Sequence, residues 1–225
     1  MNFRLRDRQQ AGRLLAAQLV RYANRPDVLV LALERGGVPV AFEVARGLDA
    51  PLDLFVVHCL SVPGRADLAM GAITTGGIVV REEAIVERFG IPDRLLAAMA
   101  AGEQQELERQ EHTYRGERLP PEVRGRAVLL VDDGYASTAA MYAAVTALRE
   151  QQPAQLIVAL PTAAPDVDER LRAEVDTIVC AIAPESFDAV ACWYDESRLP
   201  TDDEIRELLG RAARKHAGLA REYGA

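Results

Sequence analysis

Five short apolar runs, spaced by amphipathic stretches, set the tightest limit on how this chain can fold. They are VLVLAL (Val28–Leu33), LDLFVV (Leu52–Val57), the run Arg126–Val131, QLIVAL (Gln155–Leu160) and DTIVCAI (Asp176–Ile182). Short apolar segments alternating with helical ones are the mark of βαβ units around a mostly parallel sheet. The expected class is therefore α/β, a mostly parallel sheet flanked by helices. Helices are expected over Asp7–Tyr22, from Pro39 as a first-turn proline to Leu48, over Pro92–Arg115, Thr138–Glu150, near Asp166–Glu174 and over Asp202–His216. The segment Ser61–Gly77, SVPGRADLAMGAITTGG, is rich in Gly and Pro and has no helical period. A mobile loop followed by a hairpin or two short strands is expected there.

With 225 residues, 49% of them hydrophobic, the chain can bury a sizeable core. We expect one domain over 1–225, with a small hood contributed by about 184–225. The net charge of -8 argues against nucleic acid, whose phosphates attract basic surfaces. Cys59, Cys180 and Cys192 are odd in number and lack CxxC spacing, so neither a disulfide framework nor a zinc site is expected. Cys180 and Cys192 read as small apolar residues near the core. The charged, amphipathic start MNFRLRDRQQAGRLLAAQL has no apolar signal region, and no run approaches the roughly 20 residues that span a bilayer. A cytoplasmic protein without membrane contact is the expectation.

In open α/β sheets, ligands bind at the carboxyl ends of strands, where helix N-termini present free amides. Two stretches fall at such ends. In DDGYASTAAM (Asp132–Met141), the amides of Ser137 to Ala140 can cradle a phosphate, with the hydroxyls of Ser137 and Thr138 as further donors. The carboxylates of Asp132 and Asp133 repel that phosphate, so they require another partner. Vicinal sugar hydroxyls fit, as does a divalent cation held with the sugar. A helix merely capped by Ser137 or Thr138 has the same pattern. In ERGGVP (Glu34–Pro39), Gly36 and Gly37 permit close backbone approach and Arg35 carries a permanent cation, which makes a second anion site. Two anion sites around an acidic pair describe a ribose with phosphate at one end and pyrophosphate at the other.

In these residues the chain resembles the type I phosphoribosyltransferases, whose signature is an apolar strand, two acidic residues and a small-residue phosphate loop. Its similarity to one group of small bacterial phosphoribosyltransferase-like proteins extends to RGGVPV (Arg35–Val40), DLAMGAI (Asp67–Ile73) and FDAVACWYDESRLPTDDEI from Phe187. The resemblance implies a reaction on 5-phosphoribosyl 1-pyrophosphate (PRPP) with Mg²⁺, in which a nucleophile, typically a nucleobase nitrogen, attacks C1 as pyrophosphate leaves. It places Asp132 and Asp133 on the ribose, Ala136, Ser137, Thr138, Ala139 and Ala140 on the 5′-phosphate, and Arg35, Gly36 and Gly37 on the pyrophosphate. It also makes the Ser61–Gly77 region a closing loop. The expected partners are a small phosphosugar and a second copy of the chain.

The loop departs from the family's usual DDGLATGAT. Ser137 keeps the first hydroxyl, Thr138 replaces glycine and Ala140 replaces the last threonine. The lost hydroxyl removes about 1.5–3 kcal/mol of charge-assisted hydrogen bonding, and a left-handed Thr138 adds roughly 1–2 kcal/mol of strain. Restoring both, Thr138→Gly with Ala140→Thr, should tighten phosphate binding. His58 and Cys59 stand where relatives carry an Arg-Lys pair. Departures concentrated at the site open a second reading, a catalytically impaired protein that binds a phosphate-bearing ligand in a regulatory role. Trp193 and Tyr194 are candidates for base stacking, or for a plain core or dimer contact. His58 beside Cys59 reads as packing, since adjacent strand residues face opposite ways. EQQELERQEH (Glu103–His112) reads as a solvated helix face, and Asp202 and Asp203 as caps and dipole partners.

Overall fold

The computed structural model describes residues 4–135, 139–164, 169–184, 187 and 189–222; side chains are described throughout these except for Glu34 and residues 216–222. Strands β1 (Val28–Leu33), β2 (Leu52–Phe55), β6 (Ala127–Val131), β7 (Gln155–Thr162) and β8 (Thr177–Ile182) form one sheet in the order β2-β1-β6-β7-β8. Every pairing is parallel, with Ala32 opposite both Leu54 and Val131, and Val131 opposite Ala159. The strand interiors are apolar throughout because both faces are covered. Val28, Val30 and Ala32 enter one core, while Leu29, Leu31 and Leu33 enter the other.

Helices α1 (Arg8–Gln18), α2 (Glu34–Leu48) and α7 (Asp202–Glu222) lie on the first face, and α5 (Ala139–Glu150) and α6 (Glu169–Glu174) on the second. The chain steps from β1 through α2 to β2 in one direction, and from β6 through α5 to β7 in the other. Right-handed crossovers that run in opposite directions must place their helices on opposite faces. The order reverses between β1 and β6, which is where such sheets open a crevice.

Helix α2 begins earlier than its proline suggests. Expected as a first-turn residue, Pro39 lies inside the helix, which starts at Glu34, so the ERGG stretch is helical and not a loop. The second apolar run also divides. β2 ends at Phe55, and β3 (Val57–Val62) leaves the parallel sheet to pair antiparallel with β4 (Arg65–Thr74), itself paired with β5 (Ile78–Arg81). Thr75 fixes the break: its Oγ1 accepts from the Val56 amide at 2.8 Å, and its own amide donates to the Val56 carbonyl at 2.9 Å. Ser61–Gly77, expected to begin as a loop, is therefore mostly strand, with turns at Pro63–Gly64 and Thr75–Gly77.

Helices α3 (Glu83–Phe89) and α4 (Asp93–Arg115) follow, the first unforeseen and the second as the composition predicts. Arg115 ends α4 as a buried cation. Its Nε donates to Asp53 Oδ1 at 3.1 Å and its Nη2 to the Leu54 carbonyl at 3.1 Å, which fastens α4 to β2. Among the described residues, no helix is long and apolar enough to cross a membrane.

Candidate functional site

Both predicted stretches meet at the reversal point. Asp132 and Asp133 follow β6, and the first turn of α2 lies directly against them. A β-carbon on Gly37 would sit 2.7 Å from the Val131 carbonyl and 3.1 Å from Asp132 Cα, and one on Gly36 would overlap the Asp133 carboxylate. The two glycines thus make room for the acidic turn itself.

Asp133 is held from three sides. Arg8, in the first turn of α1, donates Nε at 2.8 Å to Asp133 Oδ2, and its Nη2 lies 2.7 Å from the same oxygen. The Tyr194 hydroxyl donates to the Asp133 main-chain carbonyl at 2.6 Å. Arg8 Nη1 reaches the carbonyls of Ser197 and Arg198, at 3.2 and 2.8 Å, and its guanidinium lies 5.0 Å from the centre of the Tyr194 ring. Burial, and after it the charge of Asp133, pushes the Tyr194 phenol well above its usual range, so it stays a donor at any working pH. Asp132 Oδ1 accepts the Asp133 amide at 2.8 Å.

These contacts correct one expectation. Tyr194 is 2% exposed and cannot stack a base; it supports the acidic turn. Trp193 is half-buried, and its ring stacks on Phe187 with centroids 6.0 Å apart. Gly134 closes the turn with Val190 beside it, where a β-carbon would come within 2.9 Å. Ala136, Ser137 and Thr138 lie outside the described residues. Ala139 and Ala140 form the first turn of α5, exposed and buried respectively, so the helix N-terminus does follow the acidic pair.

Arg35 points away from the aspartates. Its Nη2 lies 2.7 Å from Asp202 Oδ1 and donates to the Pro200 carbonyl at 3.2 Å. Tyr114 Oη donates to the same Asp202 oxygen at 2.8 Å, and burial, with Asp202 adding to it, raises the phenol above its ordinary value. Asp202 is thus more than a helix-start acid. The cap of α7 is a reciprocal box in which Thr201 N donates to Glu204 Oε2 at 2.7 Å and Glu204 N to Thr201 Oγ1 at 3.3 Å.

Beside Arg35 a cavity of about 220 Å³ is lined by Leu54, Val56, Val57, His58, Gln110, Tyr114 and Ile205. His58 fills its polar side, with Nδ1 3.0 Å from Glu103 Oε2 and Nε2 2.8 Å from Gln110 Oε1. Glu103 and Gln110 belong to the helix face read as solvated; most of that face is exposed, but these two hold the histidine. Of the cysteines, Cys180 is partly buried, whereas Cys59 and Cys192 are exposed and do not belong to the core.

Arg8 and Tyr114 escape a reading of the sequence, since nothing local ties either to a partner 125 or 88 positions away. The Thr201–Glu204 box is legible from its T-x-x-E spacing.

No family model matches the chain. Two Mycobacterium tuberculosis proteins, from strains CDC 1551 / Oshkosh and H37Rv and each named putative phosphoribosyl transferase, are 37% identical to it over 211 residues. The match takes in 94% of this chain and 47% of theirs, so the chain spans about half the length of these curated relatives. The crystal structure of TT1426 from Thermus thermophilus superposes with a TM-score of 0.80 at 36% identity, covering 92% of this chain and 97% of that one.

Proposed function

We propose that the chain is a type I phosphoribosyltransferase, a reading supported by its likeness to the two Mycobacterium tuberculosis proteins, and that it transfers the phosphoribosyl group of PRPP to a nitrogen nucleophile of the nucleobase class. The observation that carries this reading is the contact between the first turn of α2 and the Asp132–Asp133 turn across the reversal point, with the N-terminus of α5 next in the chain. A ribose in that crevice offers its hydroxyls to the carboxylates. Its 5′-phosphate reaches the amides leading into α5 at Ala139 and Ala140, and its pyrophosphate faces the first turn of α2 with Arg35, Gly36 and Gly37.

The chain's own residues supply position and charge. The Asp132 carboxylate lies beside a ribose that becomes cation-like as the C1 bond lengthens, and Asp133, held by Arg8, orients the sugar. Among the described residues, no group of three or more His, Cys, Asp or Glu side chains is arranged to hold a metal ion. The oxygen donors of the crevice suit a Mg²⁺ that arrives on the substrate and keeps phosphate oxygens and waters as ligands, with at most a carboxylate added. When bound, that ion neutralises charge on the pyrophosphate.

One observation favours a second reading. Arg35 and His58, at the pyrophosphate end, each already have an acidic neighbour, Asp202 and Glu103. A protein so arranged can hold a phosphate-bearing ligand without transfer, in a regulatory role. Incubation with PRPP, Mg²⁺ and a panel of nucleobases decides between them. Acceptor-dependent pyrophosphate release establishes transfer, saturable binding without release establishes the second reading, and neither result at millimolar PRPP overturns both.

A further inference from the structure

Arg8 has no counterpart in the motif that draws attention to the site, yet its guanidinium is almost wholly spent on it. The Arg8 and Asp133 side chains are 7% and 13% exposed. Both Nε and Nη2 reach a single carboxylate oxygen, while Nη1 is anchored on two carbonyls of the tail. The guanidinium carbon lies over the Tyr194 ring, whose hydroxyl holds the same aspartate through its main chain. Such an arrangement leaves Asp133 little freedom to rotate and places a full positive charge against it.

We infer that Arg8 is a positioning and charge-setting residue for the phosphate site. It cancels the charge of Asp133, so that an anion bound at the turn after β6 does not face that carboxylate unscreened. This inference rests on the reading of the turn as a phosphate site. It answers why an anion-binding turn tolerates an acidic pair at its mouth: one of the two acids is neutralised from α1.

The size of the effect follows from Coulomb's law. Two like unit charges about 8 Å apart at an effective dielectric of about 20 weaken binding on the order of thirtyfold, and solvent screening lowers this to about tenfold.

Calorimetry with two probes tests it. Ribose 5-phosphate reports whether the phosphate site exists, and inorganic phosphate reports its charge without contributions from sugar hydroxyls. Wild type should bind both. Arg8→Gln should bind inorganic phosphate about tenfold more weakly, Arg8→Lys should stay within about threefold of wild type, and Arg8→Gln with Asp133→Asn should return to within about threefold. A purely structural role would weaken Arg8→Lys and Arg8→Gln alike and would not be rescued by Asp133→Asn, and that pattern overturns the inference. So does ribose 5-phosphate binding combined with unchanged phosphate affinity in Arg8→Gln. If wild type fails to bind ribose 5-phosphate at all, the phosphate-site reading has failed and the inference goes with it. Melting curves on each variant identify any loss that comes from unfolding, and the double variant, which leaves no buried charge unpaired, keeps the comparison decisive should Arg8→Gln fail to fold.

Discussion

The guanidinium of Arg35 lies 2.7 Å from Asp202 Oδ1, so the cation expected at the pyrophosphate end of the site is paired with the first residue of α7. Both side chains are about half exposed, and such pairs contribute up to about 1 kcal/mol. Asp202→Asn should therefore release Arg35 and strengthen binding of Mg²⁺-pyrophosphate by up to about fivefold. Calorimetry checks this; unchanged or weaker binding would show that Arg35 serves α7 alone.

Tyr194→Phe removes the hydroxyl that donates to the Asp133 carbonyl but keeps the ring under Arg8. Loss of one such hydrogen bond costs about 0.5–1.5 kcal/mol, a fall in Tm of roughly 1–6 °C at this chain length. The PRPP affinity should fall with it, because the turn carrying Asp133 loses an anchor. A full loss of stability with unchanged affinity would assign Tyr194 to packing only.

Gly36 and Gly102 both lie within helices, and alanine should act on them in opposite directions. At Gly36 the added methyl overlaps Asp133, which Arg8 prevents from moving aside. Overpacking of this kind costs about 1–3 kcal/mol. At Gly102, inside α4, nothing lies within 4 Å of the new carbon, and the helix gains up to about 1 kcal/mol. Thermal melts of the two variants should therefore shift in opposite senses, Gly36→Ala downward and Gly102→Ala upward.

The start of α7 should weaken in acid. The Arg198 guanidinium, and after it the Thr201 amide, hold the Glu204 carboxyl at about 2, below its ordinary 4.5. A depressed folded-state value stabilises the folded form above pH 4.5, and this contribution is lost as pH falls from 4.5 through about 2. Circular dichroism should show Glu204→Gln with a flatter stability profile across that window than wild type. An identical profile would remove Glu204 from the acid response.

The central sheet was legible because burial on both faces leaves its strands as unbroken apolar runs. Val28–Leu33 is recovered residue for residue, and β6 and α4 to within one residue of their expected starts. The antiparallel sheet was less so. Gly64 and Gly76 have positive φ and mark turns, but Gly71 lies within β4, where a β-carbon would come 2.6 Å from the Val80 carbonyl. The same residue type thus serves as turn and as close strand packing, and composition does not separate the two. Glycine misled again at α2, where Gly36 and Gly37 suggested a loop and proved to be the small residues that let a helix touch the acidic turn. The meeting of Gly36 and Gly37 with Asp132 and Asp133 was foreseen, because both stretches fall at the carboxyl ends of strands. The Arg8 clamp, and the turning of Arg35 toward Asp202, depend on long-range packing that local pattern does not encode.

Titration of the wild-type chain with PRPP and Mg²⁺, set beside Asp132→Asn with Asp133→Asn, tests the central claim most directly. The account predicts saturable binding by wild type, weakened at least tenfold in the double variant, where two charge-assisted contacts to ribose are reduced to neutral ones at about 1 kcal/mol or more apiece. Binding of equal strength in both proteins, or none in wild type at millimolar PRPP, would contradict it.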